Sequence, residues 1–386
     1  MPGTGARQYW VDNLRLLMIV LVVNMHACVA YSHVGSWYYM VDPEPPMMVK
    51  LLFAVWQGHL QAFFMGLLFF LAGYFADRSL TRRGAKSFLA ERWQRLGIPT
   101  LLYMLLIHPF ILLGLNPWHD KFPPASAWYR HYLLSGRFVG SSGPMWFAFA
   151  LLIFSGILVA ARSVRPVATQ KMADIETVSS PVPGLLGVLL LGVFLGVTSF
   201  LVRTVQPIGS DILNFQLCFF PQYVVAFIAG VVVSRNDALR SIARSSLAWN
   251  VGRAALVCGP LALIALTVVG GQMPEHSTNP YFGGWHWQAL GLALWEQVTG
   301  VCLGLGAMAW CVRYVDTDNR TLKWLSDRSF GVYLLHPPVL IGLTMVIGGV
   351  HGNRFLMAGV LTLLSLAGSF AAADIARRIP GMKQVV

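Results

Sequence analysis

Two residues able to do chemistry stand eleven positions apart in the apolar run WVDNLRLLMIVLVVNMH, residues 10–26: Arg15 and His26. An imidazole can take a proton from a hydroxyl, and a guanidinium can hold an anion. An α-helix turns about 100° and rises about 1.5 Å per residue, so eleven residues make three turns plus about 20°. The two side chains therefore share a helix face about 16 Å apart. Asp12 precedes Arg15 by three residues and is placed to pair with it. Lipid penalises ionisable residues, which makes each a functional candidate. The plainer alternative is an arginine anchored at the headgroups and a histidine bonded to a neighbouring helix.

Glu296, in GLALWEQVTGV, is the one carboxylate well inside another apolar run. Counting residues puts it at about the depth of His26, where it could orient the imidazole or stabilise its charged form. The alternative is a neutral acid bonded to a backbone carbonyl. His59, His108 and His336 also lie in apolar runs, with His286 at the end of another. His108 and His336 each precede proline, where the backbone is expected to leave helical geometry and a histidine can bond the freed carbonyls. His336 counts nearer the basic side and suits the wall of an entry path. In ADRSLTRRGAKSFLAERWQRLG (76–97), Arg92 and Arg95 are three apart and share a helix face, a spacing suited to phosphate oxygens or to lipid headgroups. No Walker loop, GxSxG elbow or HExxH occurs.

The elements that position these residues follow from composition. The 386 residues are 56% hydrophobic and 11% charged, against roughly 25% charged in soluble domains. Ten runs are long enough to span a bilayer: 14–31, 53–75, 98–115, 144–162, 184–202, 216–234, 251–270, 288–311, 330–347 and 354–373. The expectation is an all-α polytopic membrane protein, one transmembrane domain over residues 1–386. With alternating spans, 22 of the 28 Lys and Arg fall on one side, and six (Lys50, Lys121, Arg130, Arg137, Arg203 and Arg354) on the other. That bias makes the first side cytoplasmic, with both termini, and leaves 32–52, 116–142 and 271–287 outside. The net charge of +12 thus sets topology and does not point to nucleic acid. Asp12, Asn24 and His26 argue that the first helix is retained instead of cleaved as a leader. Cys28, Cys218, Cys258, Cys302 and Cys311 lack metal-ligand spacing and read as packing residues. The polar 163–183 stretch reads as a connector.

Six stretches, in order along the chain, resemble the acyltransferase-3 family of integral membrane enzymes. They are DNLR with a histidine at arginine-plus-eleven, FFLAGYFADRSL at 69–80, RWQRLGIP at 92–99, GPMWFAFALLIF at 143–154, PQYVVAFIAGVVVSR at 221–235 and SFGVYLLHPPVL at 329–340. The resemblance implies ten helices and an O-acyltransferase that moves acetyl, succinyl or a related group from cytoplasmic acyl-CoA to a carbohydrate or glycolipid hydroxyl, in the bacterial inner membrane. His26 matches the family's essential histidine and Arg15 its partner; Arg92 and Arg95 match the arginines of the CoA side. Acyl-CoA is then a co-substrate, with no tightly bound cofactor or metal. No hydrolase-like domain follows residue 373, so the chain is expected to act alone or to hand over to another protein. His26 is the expected general base, with Glu296 orienting it, and Trp146, Tyr333 and His336 are expected along the substrate paths. The competing class is a proton-coupled transporter of a glycan or metabolite built on a His/Glu relay. Inverted halves, which many transporters carry, are not recognisable.

Overall fold

The computed structural model describes residues 8–115, 124–164, 184–271 and 279–382. The expected positions of Arg7, Lys121, Arg165, Lys171 and Lys383, and most of the 163–183 connector, lie outside the described residues. Among the described residues ten helices are long and apolar enough to cross a membrane: α1 (Tyr9–Ser32), α2 (Met47–Arg83), α3 (Ala85–Leu115), α4 (Gly143–Val164), α5 (Leu185–Arg203), α6 (Leu217–Arg235), α7 (Ser246–Gly270), α8 (Trp287–Tyr314), α9 (Ser329–Ile347) and α10 (Arg354–Ala376). They agree in number and order with the apolar runs. The boundaries differ where polar residues favour helix. The stretch expected as a 76–97 loop is almost entirely helical, because its Ala, Leu, Arg and Lys are good helix formers. Only Gly84, at φ +76°, breaks it, separating α2 from α3.

Helix α2 packs most extensively on α6, and α8 lies against α2, α5 and α7. Helix α1 is flanked by α2, α9 and α10. A side chain on Gly73 would strike the Phe227 carbonyl, and one on Gly230 the Phe70 carbonyl. Small residues at such crossings let backbones close up where lipid offers no hydrophobic drive between helices. This accounts for the glycines of FFLAGYF and VVAFIAGVV.

Polar contacts divide the bundle into two rims. At one, Asp77 receives Arg162 and Arg235, Asp237 pairs with Arg78, and Asp316 takes Arg240 at 2.6 Å and the Trp10 amide at 3.3 Å. Asn13 donates to the Val315 carbonyl at 2.7 Å, and Arg328 pairs with Asp374 at 2.5 Å. At the other, Arg354 donates to the Val41 carbonyl at 3.0 Å and Asn214 to the Gly143 carbonyl at 2.8 Å. The segments predicted to share the basic side thus meet one another.

Candidate active site

His26 lies at the third turn above Arg15 on α1 and is partly accessible. Its Nδ1 is 3.1 Å from Nε2 of His336 on α9. Trp37 stacks on the His26 ring, with centroids 4.1 Å apart and planes at 23°. The loop carrying Trp37 is fixed locally. His33 ends α1 in the left-handed region at φ 57°, Ser32 donates to Gln57 at 3.0 Å, and Gln57 donates to the Val34 carbonyl at 3.1 Å. These bonds fold residues 33–41 back over α1. The indole Nε1–H of Trp37 is buried and has no acceptor among the described residues. Asn24, the other polar residue of this run, is a structural tie: it donates to Thr362 at 3.1 Å and accepts from Trp56 at 2.8 Å.

A hydroxyl and imidazole cluster adjoins this pair. The Tyr38 hydroxyl lies 2.7 Å from His108 Nδ1 and 3.1 Å from the Tyr103 hydroxyl. Burial pushes the Tyr38 phenol up to about 12, so it is a neutral hydroxyl near pH 7. Gly143, at φ +47°, permits this approach, since a Cβ there would collide with both tyrosines. Helix α3 keeps its course through His108–Pro109, contrary to the expected break, by opening a π turn at Tyr103–Ile107. Pro109 has no N–H for the Leu105 carbonyl. Tyr129 donates there instead at 2.8 Å, and Tyr132 donates to Met104 at 2.6 Å, both from the short helix Ala125–Leu134. His108 therefore faces Tyr38 and not the freed carbonyls. At His336 the helix also continues, through Pro337 and Pro338, but there the histidine does bond the freed carbonyl, with Nδ1 2.8 Å from Tyr333 O.

At the basic rim Arg15, Arg92 and Arg95 lie within electrostatic range of one another. Asp12 moderates Arg15, and Glu91 pairs with Arg95 at 3.5 Å. Arg15 and Arg95 are accessible, while Arg92 is half-buried over the Phe88 ring, 5.0 Å from its centroid. A π turn at Trp93–Gly97, just before Pro99, puts Arg95 out of α-helical register with Arg92. Three guanidiniums at one rim are groups of the kind that suit phosphate oxygens.

Three of the expected placements are corrected. Glu296 does not face His26: its carboxylate is ion-paired with Arg203, which is 0% exposed. Arg203, counted as an outer-rim charge because it ends α5, turns its long side chain inward to that acid. His336, counted nearer the basic side, stands level with His26, 3.1 Å from it, a meeting between two helices that counting along either one does not give. Trp146, expected along a substrate path, stacks on Tyr223 with centroids 5.6 Å apart, among the packed aromatics of α2 and α6. Tyr333 donates its hydroxyl to the Pro144 carbonyl and is buried next to His336. His59 bonds the Val55 carbonyl at 2.6 Å, and His286 precedes α8 at the surface. Sequence reasoning missed Trp37, Tyr38 and Tyr103: a short loop and a π turn carry no periodic signal, and only their aromatic character sets them apart.

The comparisons with known proteins agree with this architecture. The acyltransferase-3 family model, described as an acyltransferase domain, matches residues 8–374. Glucans biosynthesis protein C of Salmonella gallinarum (strain 287/91 / NCTC 13346) is 24% identical over 398 residues, covering 98% of this chain and 94% of its own. Proteins of the same name from Salmonella paratyphi B and Salmonella heidelberg are 27% identical over 156 residues, 40% of this chain and 38% of theirs. No solved structure matches. With ten apolar helices among its described residues and a family match over nearly its whole length, the chain is an integral membrane acyltransferase and belongs to the acyltransferase-3 family.

Proposed function

We propose that the protein transfers an acyl group, acetyl or succinyl, from cytoplasmic acyl-CoA to a hydroxyl of a carbohydrate-type acceptor reached from the opposite face of a bacterial inner membrane. The basic rim, with both termini, is the cytoplasmic one, on the strength of its excess of Lys and Arg. A carbohydrate acceptor accords with the name of the Salmonella relatives. One observation carries the reading. A single rigid helix holds Arg15 in a three-arginine cluster at one rim and His26, three turns away, in a cluster of aromatic rings and hydroxyls.

Arg15, Arg92 and Arg95 hold the CoA phosphates, and the extended pantetheine arm follows α1 so that the thioester reaches His26. His26 takes the proton of the acceptor hydroxyl, whose oxygen forms a bond to the thioester carbonyl carbon. Charge then gathers on the carbonyl oxygen, and the Nε1–H of Trp37, which has no acceptor among the described residues, is the donor assigned to it. Collapse breaks the carbon–sulfur bond, and the departing thiolate takes the proton back from His26. The acceptor leaves as an ester and the donor as free CoA. Tyr38 and His108 supply hydrogen-bonding groups for the acceptor's other hydroxyls, and the exposed or half-exposed rings around them supply stacking surface.

The test is acceptor-dependent release of free CoA from radiolabelled acetyl- or succinyl-CoA by the purified protein in detergent, offered a panel of glucans and simpler sugars. His26→Gln keeps size and hydrogen bonding but loses basicity. Its turnover should fall by about 10²- to 10⁴-fold while donor binding persists. Near-normal turnover in that variant would remove His26 as the base.

A further inference from the structure

We infer that His336 is a positioning residue that holds His26 in one tautomer, leaving the Nε2 of His26 as the atom that accepts the proton. The inference rests on His26 being the base. It begins in the backbone. Pro337 has no N–H, so the Tyr333 carbonyl lacks the donor that an uninterrupted helix would give it. His336 Nδ1 lies 2.8 Å from that oxygen. A carbonyl only accepts, so Nδ1 of His336 carries hydrogen. In a neutral imidazole the other nitrogen then bears a lone pair. That nitrogen, Nε2, is 3.1 Å from His26 Nδ1, which is then the donor; the Val22 carbonyl, one turn back on α1, is a second acceptor within reach of the His26 ring. The lone pair of His26 is left on Nε2, on the far side of the ring from His336.

The surroundings hold this arrangement in place. His336 is 0% exposed, so it acts through His26 and not on a substrate. Ring centroids of His26 and His336 are 5.1 Å apart with planes nearly parallel, at 19°, while Trp37 covers a face of His26 and resists its rotation. The chain of constraint runs Pro337, Tyr333 carbonyl, His336, His26. It parallels the way a buried carboxylate orients a histidine in serine hydrolases, with the difference that the orienting group here is neutral. It fixes direction without supplying a counter-charge.

The two ring nitrogens of His336 can be tested separately. Asn places its amide nitrogen near the position of Nδ1, so His336→Asn keeps the bond to Tyr333 but cannot reach His26. Gln places an acceptor oxygen near the position of Nε2, so His336→Gln keeps the bond to His26. Nitrogen-15 NMR of ring-labelled histidine in reconstituted protein, with the His26 signals assigned by their loss in His26→Gln, reads the tautomer directly. In the unsubstituted protein His26 should be in the Nδ1–H form. His336→Asn should mix the two forms and lower kcat on the order of 10-fold, as expected for one lost hydrogen bond, with KM for acyl-CoA and acceptor unchanged. His336→Gln should restore both. Pro337→Ala returns an N–H to the Tyr333 carbonyl, competes with His336 for it, and should loosen the tautomer without altering a side chain of the pair. An unaltered tautomer and rate in His336→Asn would overturn the inference and leave His336 as a helix cap. If His26→Gln is fully active, the base assignment fails, and the NMR result still decides whether the pair is oriented.

Discussion

Glu296 and Arg203 invite a double-mutant cycle, because their burial sets the size of the effect. Arg203 is 0% exposed and Glu296 5%, and the two are joined directly. The Nε and Nη1 of Arg203 have no acceptor among the described residues, so Glu296 is the principal compensation for that charge. Removing one partner of a buried pair leaves the other uncompensated and costs about 3–5 kcal/mol. Against a total stability of roughly 5–15 kcal/mol, that loss is enough to lower the yield of folded protein. Arg203→Met and Glu296→Leu should each show it. The double variant leaves no orphan charge and should recover most of the loss, since well-packed apolar replacements of such pairs are often neutral or stabilising by about 1–4 kcal/mol. Equilibrium unfolding in mixed micelles, followed by tryptophan fluorescence, measures all four corners. Singles within about 1 kcal/mol of the parent, or a double variant as unstable as the sum of the singles, would refute the pairing argument. Turnover of the double variant addresses chemistry separately. If the folded protein still releases CoA at a near-normal rate, Glu296 serves the fold. A loss of 10² or more would return the acid to the reaction that the sequence suggested for it.

Replacing Arg92 or Arg95 with Lys should weaken CoA binding, since the forked contact is lost, and the double Ala variant should weaken it further, by about 10- to 100-fold per charge-assisted bond removed; unchanged affinity by calorimetry would leave these arginines to topology alone. Trp37→Phe keeps the ring over His26 but deletes the N–H, and kcat should fall by about 10²- to 10³-fold if that donor meets the developing oxyanion; an unchanged kcat in folded protein assigns Trp37 to packing. For orientation, a cysteine at the exposed Ser126 should be modified by an impermeant reagent in intact cells and one at the exposed Ser87 should not; the reverse pattern would invert the topology.

The ten helices were legible because a bilayer demands about 20 apolar residues per span and the chain supplies them one after another. The common face of Arg15 and His26 was legible for the same kind of reason: helical geometry is periodic, and eleven residues nearly close a whole number of turns. The grouping of Arg15 with Arg92 and Arg95 followed from all three being counted to the same rim. The immediate partner of His26 was not legible. Which of several buried histidines meets it depends on tilt and register between α1 and α9, and no spacing within one helix encodes that. Glu296 misled through an assumption about its neighbour: Arg203 ends a helix, where a basic residue ordinarily snorkels outward, yet here it reaches into the bundle. Trp37 and Tyr38 lie in a loop whose course is set by Ser32, His33 and Gln57, three polar residues with no recognisable pattern.

Two proline positions share a logic that connects the backbone to the site. Each proline deletes one hydrogen bond in a membrane helix, where water is not at hand to replace it. In α3 the carbonyl released by Pro109 is claimed by Tyr129, the neighbouring Met104 carbonyl by Tyr132, and the π turn that forms carries Tyr103 toward Tyr38 and His108. In α9 the carbonyl released by Pro337 is claimed by His336, and the ring so fixed meets His26. In both helices an unsatisfied acceptor is more costly than any side-chain rotamer it selects, so the defect dictates the direction of a polar ring. An apolar bundle has few other ways to aim an imidazole, because carboxylates and charged partners are expensive at that depth. Orientation by backbone carbonyls keeps the centre neutral. That suits the base proposed for His26, which would accept a proton from an acceptor hydroxyl and return it to a departing thiolate within the same turnover.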